Sequence, residues 1–291
     1  MSFTQDNPVL SSNAQEMQQL LDTEKQQVQD SLFGCFHNNT ITVKYTDLFS
    51  VDEHGEPLSF KPAKAADWIV CNYQFKTDIT TGILYLYNGK TWIANAEPYL
   101  EYLVNVVLAD ENNRSRYENI EFTLKAKTYQ QVTFSHKVSC ENGLLDVETG
   151  EFTEFNPDEM SFHQLPVKYD PAAECPNWIE FINQVVTADD KDTLQEWSGY
   201  CLLPDYRFHK IMWVVGSGRN GKGVWQRTIE GILGTGNTAN VGLEEFDGSH
   251  RFALVNLYGK LVNFCSEPKT NRELQTNLLK YATGQDTIEA E

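Results

Sequence analysis

The sequence predicts an α/β fold in which an N-terminal α+β region leads into part of an open parallel sheet. Three observations predict it. Ile211-Met212-Trp213-Val214-Val215 is an apolar β-type run that feeds a glycine-rich stretch, Gly216 to Gly223, and a helical pattern follows. A second apolar run, Lys260-Leu261-Val262-Asn263-Phe264-Cys265, ends at Ser266-Glu267-Pro268. Between Thr40 and Ile93, short alternating segments separated by turn residues have a β texture instead.

Taken in order, residues 1–30 are polar and glutamine-rich, a tail or short helix with Met17, Leu20, Leu21 and Val28 as a weak stripe. Thr40 to Tyr45 alternates as a strand. Gly82 to Tyr87 is a second strand, and Asn88-Gly89 supplies a hairpin turn before Lys90 to Ile93. Pro98 opens a helix with Leu100, Leu103, Val104 and Val107 on one face. The segment after Arg114 and Arg116 is mixed. Residues 138–176 read as short strands and turns, punctuated by Asn142-Gly143 and Thr149-Gly150. A helix from Pro176 to about Val186 is expected to bury Trp178, Phe181, Ile182 and Val185. The next begins behind Asp189 or Asp190 as its cap, with Leu194, Trp197 and Cys201 at helical spacing. Pro204-Asp205 ends it and sets a domain boundary near residue 205, dividing the chain into 1–30, 31–204 and 205–291. A helix from Lys222 to Leu233 carries Val224, Thr228, Ile229 and Ile232 as its apolar stripe, and Gly234-Thr235-Gly236-Asn237 stops it. A last helix spans about Asn271 to Tyr281.

The 291 residues, 41% of them apolar, suffice for a sizeable core. The formal net charge is −18, from 41 acidic and 23 basic residues. That balance argues against a general nucleic-acid-binding surface and confines any DNA contact to a groove or channel. The six cysteines are far apart, with no Cys-x-x-Cys pair, so the pattern is that of reduced thiols rather than a zinc site. No basic start followed by an apolar run marks a signal peptide, and no apolar stretch reaches a membrane span. A cytoplasmic protein is expected.

The stretch Gly216-Ser217-Gly218-Arg219-Asn220-Gly221-Lys222-Gly223 has the spacing of a phosphate-binding P-loop between strand and helix. Backbone N–H groups of such a turn point at a polyphosphate, and the helix N-terminus adds a favourable dipole. Glycine is needed because the backbone must approach closely and take unusual φ values. Lys222 supplies a compact positive charge for the terminal phosphates. Arg219 is placed to reach phosphate or solvent. Gly223 departs from the pattern: the serine or threonine usual there gives its hydroxyl to Mg²⁺, and here water must take that place. Glu267, at the end of the second apolar run, is the candidate carboxylate for Mg²⁺ and for the attacking water. Ser266 stands where many such sites carry an aspartate.

In this order the motifs resemble the helicase part of phage and plasmid primase-helicases, of superfamily 3 and similar to the poxvirus primase-helicase. The likeness runs through Asn142-Gly143-Leu144-Leu145-Asp146, Leu165-Pro166-Val167-Lys168-Tyr169-Asp170-Pro171, Cys175-Pro176-Asn177-Trp178 and Gly199-Tyr200-Cys201-Leu202-Leu203. It continues through the glycine loop, Glu267 and Leu279-Lys280-Tyr281-Ala282-Thr283-Gly284-Gln285-Asp286, covering roughly residues 60–291. The resemblance implies an AAA+-like ATPase domain that uses ATP and Mg²⁺ to unwind DNA as a ring, usually a hexamer, around single-stranded DNA. It makes Lys280 a DNA-contact candidate. Family members continue with a basic stretch, a polar sensor and an arginine finger, and carry a primase domain ahead of the match. The chain is therefore expected to be a truncated or split form, with weak ATP binding, poor hydrolysis and an incomplete sheet that invites a separate C-terminal companion chain. The alternative is a non-catalytic assembly or DNA-recruitment module retaining a relic P-loop. A small-molecule P-loop kinase is a third, weaker reading, opposed by the long N-terminal region and the lack of a lid.

Overall fold

The computed structural model describes residues 48–51, 53, 54, 57–108, 112–247, 254–265 and 283. The expected strand at 40–45, the 1–30 segment and the expected helix at 271–281 lie outside the described residues. The fold is mixed α/β, with small sheets and intervening helices. It divides into two compact units. The first comprises Met1–Thr77, Gly82–Gly89 and Asn95–Tyr129, and the second Asp78–Thr81, Lys90–Ala94 and Gln130–Glu291. The boundary expected near residue 205 falls inside the second unit.

In the first unit, β1 (Phe49–Val51) pairs antiparallel with β2 (Pro57–Phe60), Phe49 opposite Phe60. Pro62 opens α1 (Pro62–Asn72), where its missing N–H costs nothing. β3 (Phe75–Asp78) and β4 (Leu84–Tyr87) form an antiparallel pair with Phe75 opposite Leu86. After β5 (Trp92–Ala94), which is counted with the second unit, come α2 (Glu97–Leu108) and α3 (Arg114–Thr128). Ile69, Leu84, Leu86, Leu100, Val104, Ile120 and Leu124 form the dry centre. Ala65 and Ala66, both fully buried, leave α1 no bulk on that face and let α3 pack closely against it. The strand at 82–87 and the helix after Pro98 appear as the sequence predicts.

Two helices escaped the sequence pattern: α1, which interrupts the 40–93 stretch expected to have a β texture, and α3. The start of α3 is local: the Asn113 side chain accepts from the Arg116 N–H at 3.0 Å, and Lys125 and Lys127 in the last turn suit the helix dipole. Its apolar face is only a thin row, Ile120, Leu124 and Thr128. Tertiary contacts complete it. Lys125 reaches Glu97 on α2 at 2.7 Å, Lys127 reaches Asp67 on α1 at 2.7 Å, and Arg116 lies over the rings of Phe49 and Phe60.

The two-residue β6 (Tyr129–Gln130) falls at the division between the units, and the second unit continues with an antiparallel sheet of β7 (Val138–Cys140), β8 (Gly143–Leu145) and β9 (Phe152–Thr153). Gly143, at φ 157°, is required there. A Cβ would strike the Thr153 carbonyl and the Phe152 ring. The Asn142 side chain bonds both the N–H and the C=O of Tyr169, at 2.9 and 3.0 Å, and pins the 165–170 segment to the turn.

Nearby, Lys137 Nζ and Ser135 Oγ each donate to the Glu159 carboxylate at 2.7 Å. These two bonds hold the Glu159 carboxyl below the usual glutamate range, Lys137 contributing most. A depressed folded pKa stabilises the fold above the unfolded value, about 4.3, and that contribution fades as pH falls through the folded value. Glu159→Gln is expected to cost about 1 kcal/mol at pH 7 by chemical denaturation. The difference from wild type should shrink on acidification below about pH 4.

Two helices follow, α4 (Pro176–Val185) and α5 (Lys191–Tyr200). Asp190 does stand at the cap of α5, but its carboxylate takes the Thr187 hydroxyl at 2.6 Å rather than a helix amide. Trp178, Phe181 and Ile182 are partly buried, and Val185 is 38% exposed, so α4 covers the core less deeply than its periodicity suggests. Helix α6 (Lys222–Leu233) is followed by β10 (Thr238–Ala239) and β11 (Val262–Asn263), which pair in parallel.

Two expectations need correction. The stripe of α6 is turned: Trp225, Ile229 and Leu233 are its buried residues, whereas Val224 is 43% exposed. The larger apolar side chains took the interior. Ile211 to Val215, expected as a strand, lies outside any helix or strand, with Val215 89% exposed. A strand exists only through its neighbours, and among the described residues this run has no ladder partner. The mixed α/β character is present, and β10 and β11 supply a parallel pair.

Candidate phosphate-binding loop

Residues 216–221 connect the unpaired run to the N-terminus of α6. Three of the six have positive φ: Gly218 at 95°, Arg219 at 49° and Gly221 at 87°. Two are glycines, for which this region is free, and Arg219 is the uncommon non-glycine case. Gly221 is the residue before α6, and its carbonyl accepts from Val224 and Trp225 at 2.9 and 3.0 Å. A Cβ on Gly221 would lie 3.0 Å from the Phe181 ring and 3.1 Å from Val185. Helix α4 therefore backs the loop. The sequence offered no sign of this role for Phe181 and Val185.

The loop is closed on itself. The Asn220 amide occupies the space a Cβ on Gly216 would need. Lys222 Nζ donates to the Gly216 carbonyl at 3.1 Å and to Asn220 Oδ1 at 3.3 Å. The ammonium thus lies across the loop on two neutral acceptors. Among the described residues no carboxylate pairs with it, and an anion with stronger acceptor oxygens can replace both contacts. The Lys222 and Gly223 amides, the first two of α6, lie at the same place with no backbone acceptor among the described residues, at the positive end of the helix dipole. Ser217, Gly218 and Arg219 are exposed. Gly223 is exposed too, and a Cβ there would meet only the flexible Arg227 guanidinium, at 3.2 Å.

The turn leading into the run is anchored by charge. Arg207 holds Asp205 through Nε at 2.9 Å and Nη2 at 2.6 Å, and reaches Glu148 at 3.3 Å. His136 Nδ1 lies 3.3 Å from Asp205. The Arg207 bonds hold the Asp205 carboxyl below its ordinary range.

A cleft of about 800 Å³ opens beside the loop. Gly216, Lys222 and Gly223 line it together with Val262, Asn263 and Phe264. The structure thus brings the glycine loop and the end of β11 to one cleft, although they are far apart in sequence. Trp225 anchors the same region: its indole N–H donates to Ser198 Oγ at 3.1 Å, and its ring packs edge-on to Phe264. Asn263 bonds the N–H and C=O of Val241, at 2.7 and 3.0 Å, and tethers the β11 end. Glu267 and Lys280 lie outside the described residues. Among the described residues, no three His, Cys, Asp or Glu side chains gather as a metal site, and no helix is long and apolar enough to cross a membrane.

The loop and helix terminus define an arrangement suited to an anionic ligand, in a mixed α/β protein. Comparison with known families sharpens this. Residues 66–187 match the family described as D5 N terminal like, and residues 214–291 match a family of unknown function, DUF5906. The first describes the N-terminal part of D5-like phage and plasmid primase-helicases, and over residues 66–187 this chain is similar to that part. No curated protein matches the chain.

Proposed function

We propose that this chain is the ATP-dependent DNA helicase part of a superfamily 3 type replication protein of a phage or plasmid. The observation that carries the reading is the shared cleft of Gly216, Lys222 and Gly223 with the end of β11. A parallel strand whose end opens on a glycine loop suits a site for a nucleoside triphosphate. In this reading, the amides from Gly216 to Gly223 and the ammonium of Lys222 hold the phosphates of ATP. Glu267 follows β11 and serves as the carboxylate that orients water and meets Mg²⁺, with water in place of the hydroxyl that Gly223 lacks. When bound, the cation offsets phosphate charge. Single-stranded DNA, with Lys280 as a contact, and a ring of like subunits complete the proposal, with a companion chain as the other candidate partner. The protein would act in the cytoplasm of the host cell.

A second reading, a non-catalytic assembly or DNA-recruitment module, is favoured by one observation: Gly223 presents no oxygen to a metal. A single substitution separates the two. Gly223→Ser has room, since only Arg227 must shift. If the loop works with a metal-bound triphosphate, Gly223→Ser should tighten Mg-ATP about threefold to tenfold, the worth of one added polar contact. ATP turnover should also rise when single-stranded DNA is added. Calorimetric titration detecting no ATP binding by either chain would overturn the first reading; binding without DNA-stimulated turnover would favour the second.

A further inference from the structure

We propose that the Asn220 side chain is a latch built into the glycine loop: its amide stands in for phosphate against Lys222 and must swing out before an anion enters. The proposal rests on the reading of the loop as a phosphate site. Three observations carry it. The first is where the side chain lies. Ser217, Gly218 and Arg219 are exposed, whereas Asn220 is half-buried. Gly218 and Arg219 both have positive φ, at 95° and 49°, so the chain curls and returns residue 220 over Gly216. The amide is folded into the loop, although its donors and acceptor could all be satisfied by water outside it.

The second is Gly216. Its φ is not positive, unlike those of Gly218 and Gly221, so the turn itself does not demand glycine there. A Cβ on Gly216 would overlap the Asn220 amide nitrogen and come within 2.8 Å of the amide carbon. The missing side chain makes room for the latch.

The third is the pair of acceptors. Lys222 Nζ donates to the Gly216 carbonyl at 3.1 Å and to Asn220 Oδ1 at 3.3 Å. Both oxygens are neutral, and a charged phosphate oxygen is the stronger acceptor. In a chain with 41 acidic residues a bare ammonium draws carboxylates, which would hold it against a phosphate. A neutral amide keeps it at the loop and yields to phosphate. The backbone is not the moving part. A Cβ on Gly221 would lie 3.0 Å from the Phe181 ring, and the Gly221 carbonyl accepts from the Val224 and Trp225 amides. Opening therefore falls to rotation of the Asn220 and Lys222 side chains.

A latch lowers apparent affinity by the fraction of loops that stand open, so its removal should tighten binding. Loss of an ordinary structural contact would loosen the loop and weaken it. Calorimetric titration of the whole chain with Mg-ATP and with inorganic pyrophosphate is the test. Asn220→Ala is expected to bind both probes about threefold to tenfold more tightly than the unaltered chain, the range for release of one hydrogen bond. Equal gains assign the effect to the phosphate end of the ligand. Asn220→Ser, whose hydroxyl is one bond too short to span to the ammonium, should behave alike, so the result does not depend on one variant folding. In a chain that also carries Lys222→Ala the gain should disappear, because nothing then holds the amide across the loop. A gain for ATP alone, an undiminished gain without Lys222, or unchanged or weaker binding by both Asn220 variants would overturn the latch and leave the phosphate loop standing. No binding of either probe by any of the chains would overturn the loop reading and the latch together.

Discussion

Lys222→Ala is expected to weaken ATP binding about tenfold to a hundredfold while leaving the fold intact. The ammonium is the only side-chain charge that the structure holds across the loop, on Gly216 O and Asn220 Oδ1 among the described residues. Hydrogen bonds to a charged group contribute about 1.5–3 kcal/mol, and each 1.4 kcal/mol is tenfold in affinity. The fold should barely respond. Both acceptors belong to the loop itself, and the helix that follows is anchored by Trp225, Ile229 and Leu233 on another face. Titration calorimetry reads the first effect and chemical denaturation the second. A variant with unchanged ATP affinity would show that the loop does not bind phosphate through this side chain. A variant that unfolds would show that Lys222 is structural.

Trp225→Ala is expected to destabilise the second unit by about 3–5 kcal/mol, the usual range for removing a large buried aromatic side chain. Trp225 is 6% exposed, packs edge-on to Phe264, and donates its indole N–H to Ser198 on α5. Its loss opens a cavity where α5, α6 and the β11 segment meet. Val224→Ala, one position away, should change stability by no more than about 0.5 kcal/mol, because Val224 is 43% exposed. Denaturant midpoints of the two variants decide the matter: equal losses would mean that α6 is rotated from the orientation described. Since the interior face of α6 also fixes where its N-terminus points, a sound Trp225 contact is a condition for the loop geometry.

That pair of residues also shows where sequence reasoning stops. Apolar periodicity located α6 correctly, because a helix is closed by bonds within its own segment. It caught Ile229 and Ile232 but took exposed Val224 in place of Trp225 and Leu233, because which side faces inward depends on what Phe264 and Ser198 bring from elsewhere. Helices α2 and α4 were legible for the same local reason, each with a proline in its first turn. Helix α3 was not: one thin apolar row is a weak signal, and its stabilising partners Glu97 and Asp67 come from other helices.

The glycine loop lies on the other side of that divide. Positive φ at Gly218 and Gly221 is a property of single residues, and a chain without Cβ atoms at those points declares it in the sequence. The backing of Gly221 by Phe181 and Val185, the tether of Arg207 to Glu148, and the meeting of the loop with β11 could not be read that way. Each joins segments that are distant in the chain. The run 211–215 marks the contrast best. Its composition makes it a good strand, yet strand formation is a transaction between two backbones, and the described residues provide only one.

The sequence by itself thus determined the helices closed by their own hydrogen bonds and the turn whose φ values only glycine takes freely. The tertiary structure alone decided which face of α6 is buried, which strand pairs with which, and that one cleft joins Lys222 to the end of β11. The reason is physical: bonds within a few residues are written in local chemistry, whereas packing and strand pairing depend on partners that only the folded chain brings within reach.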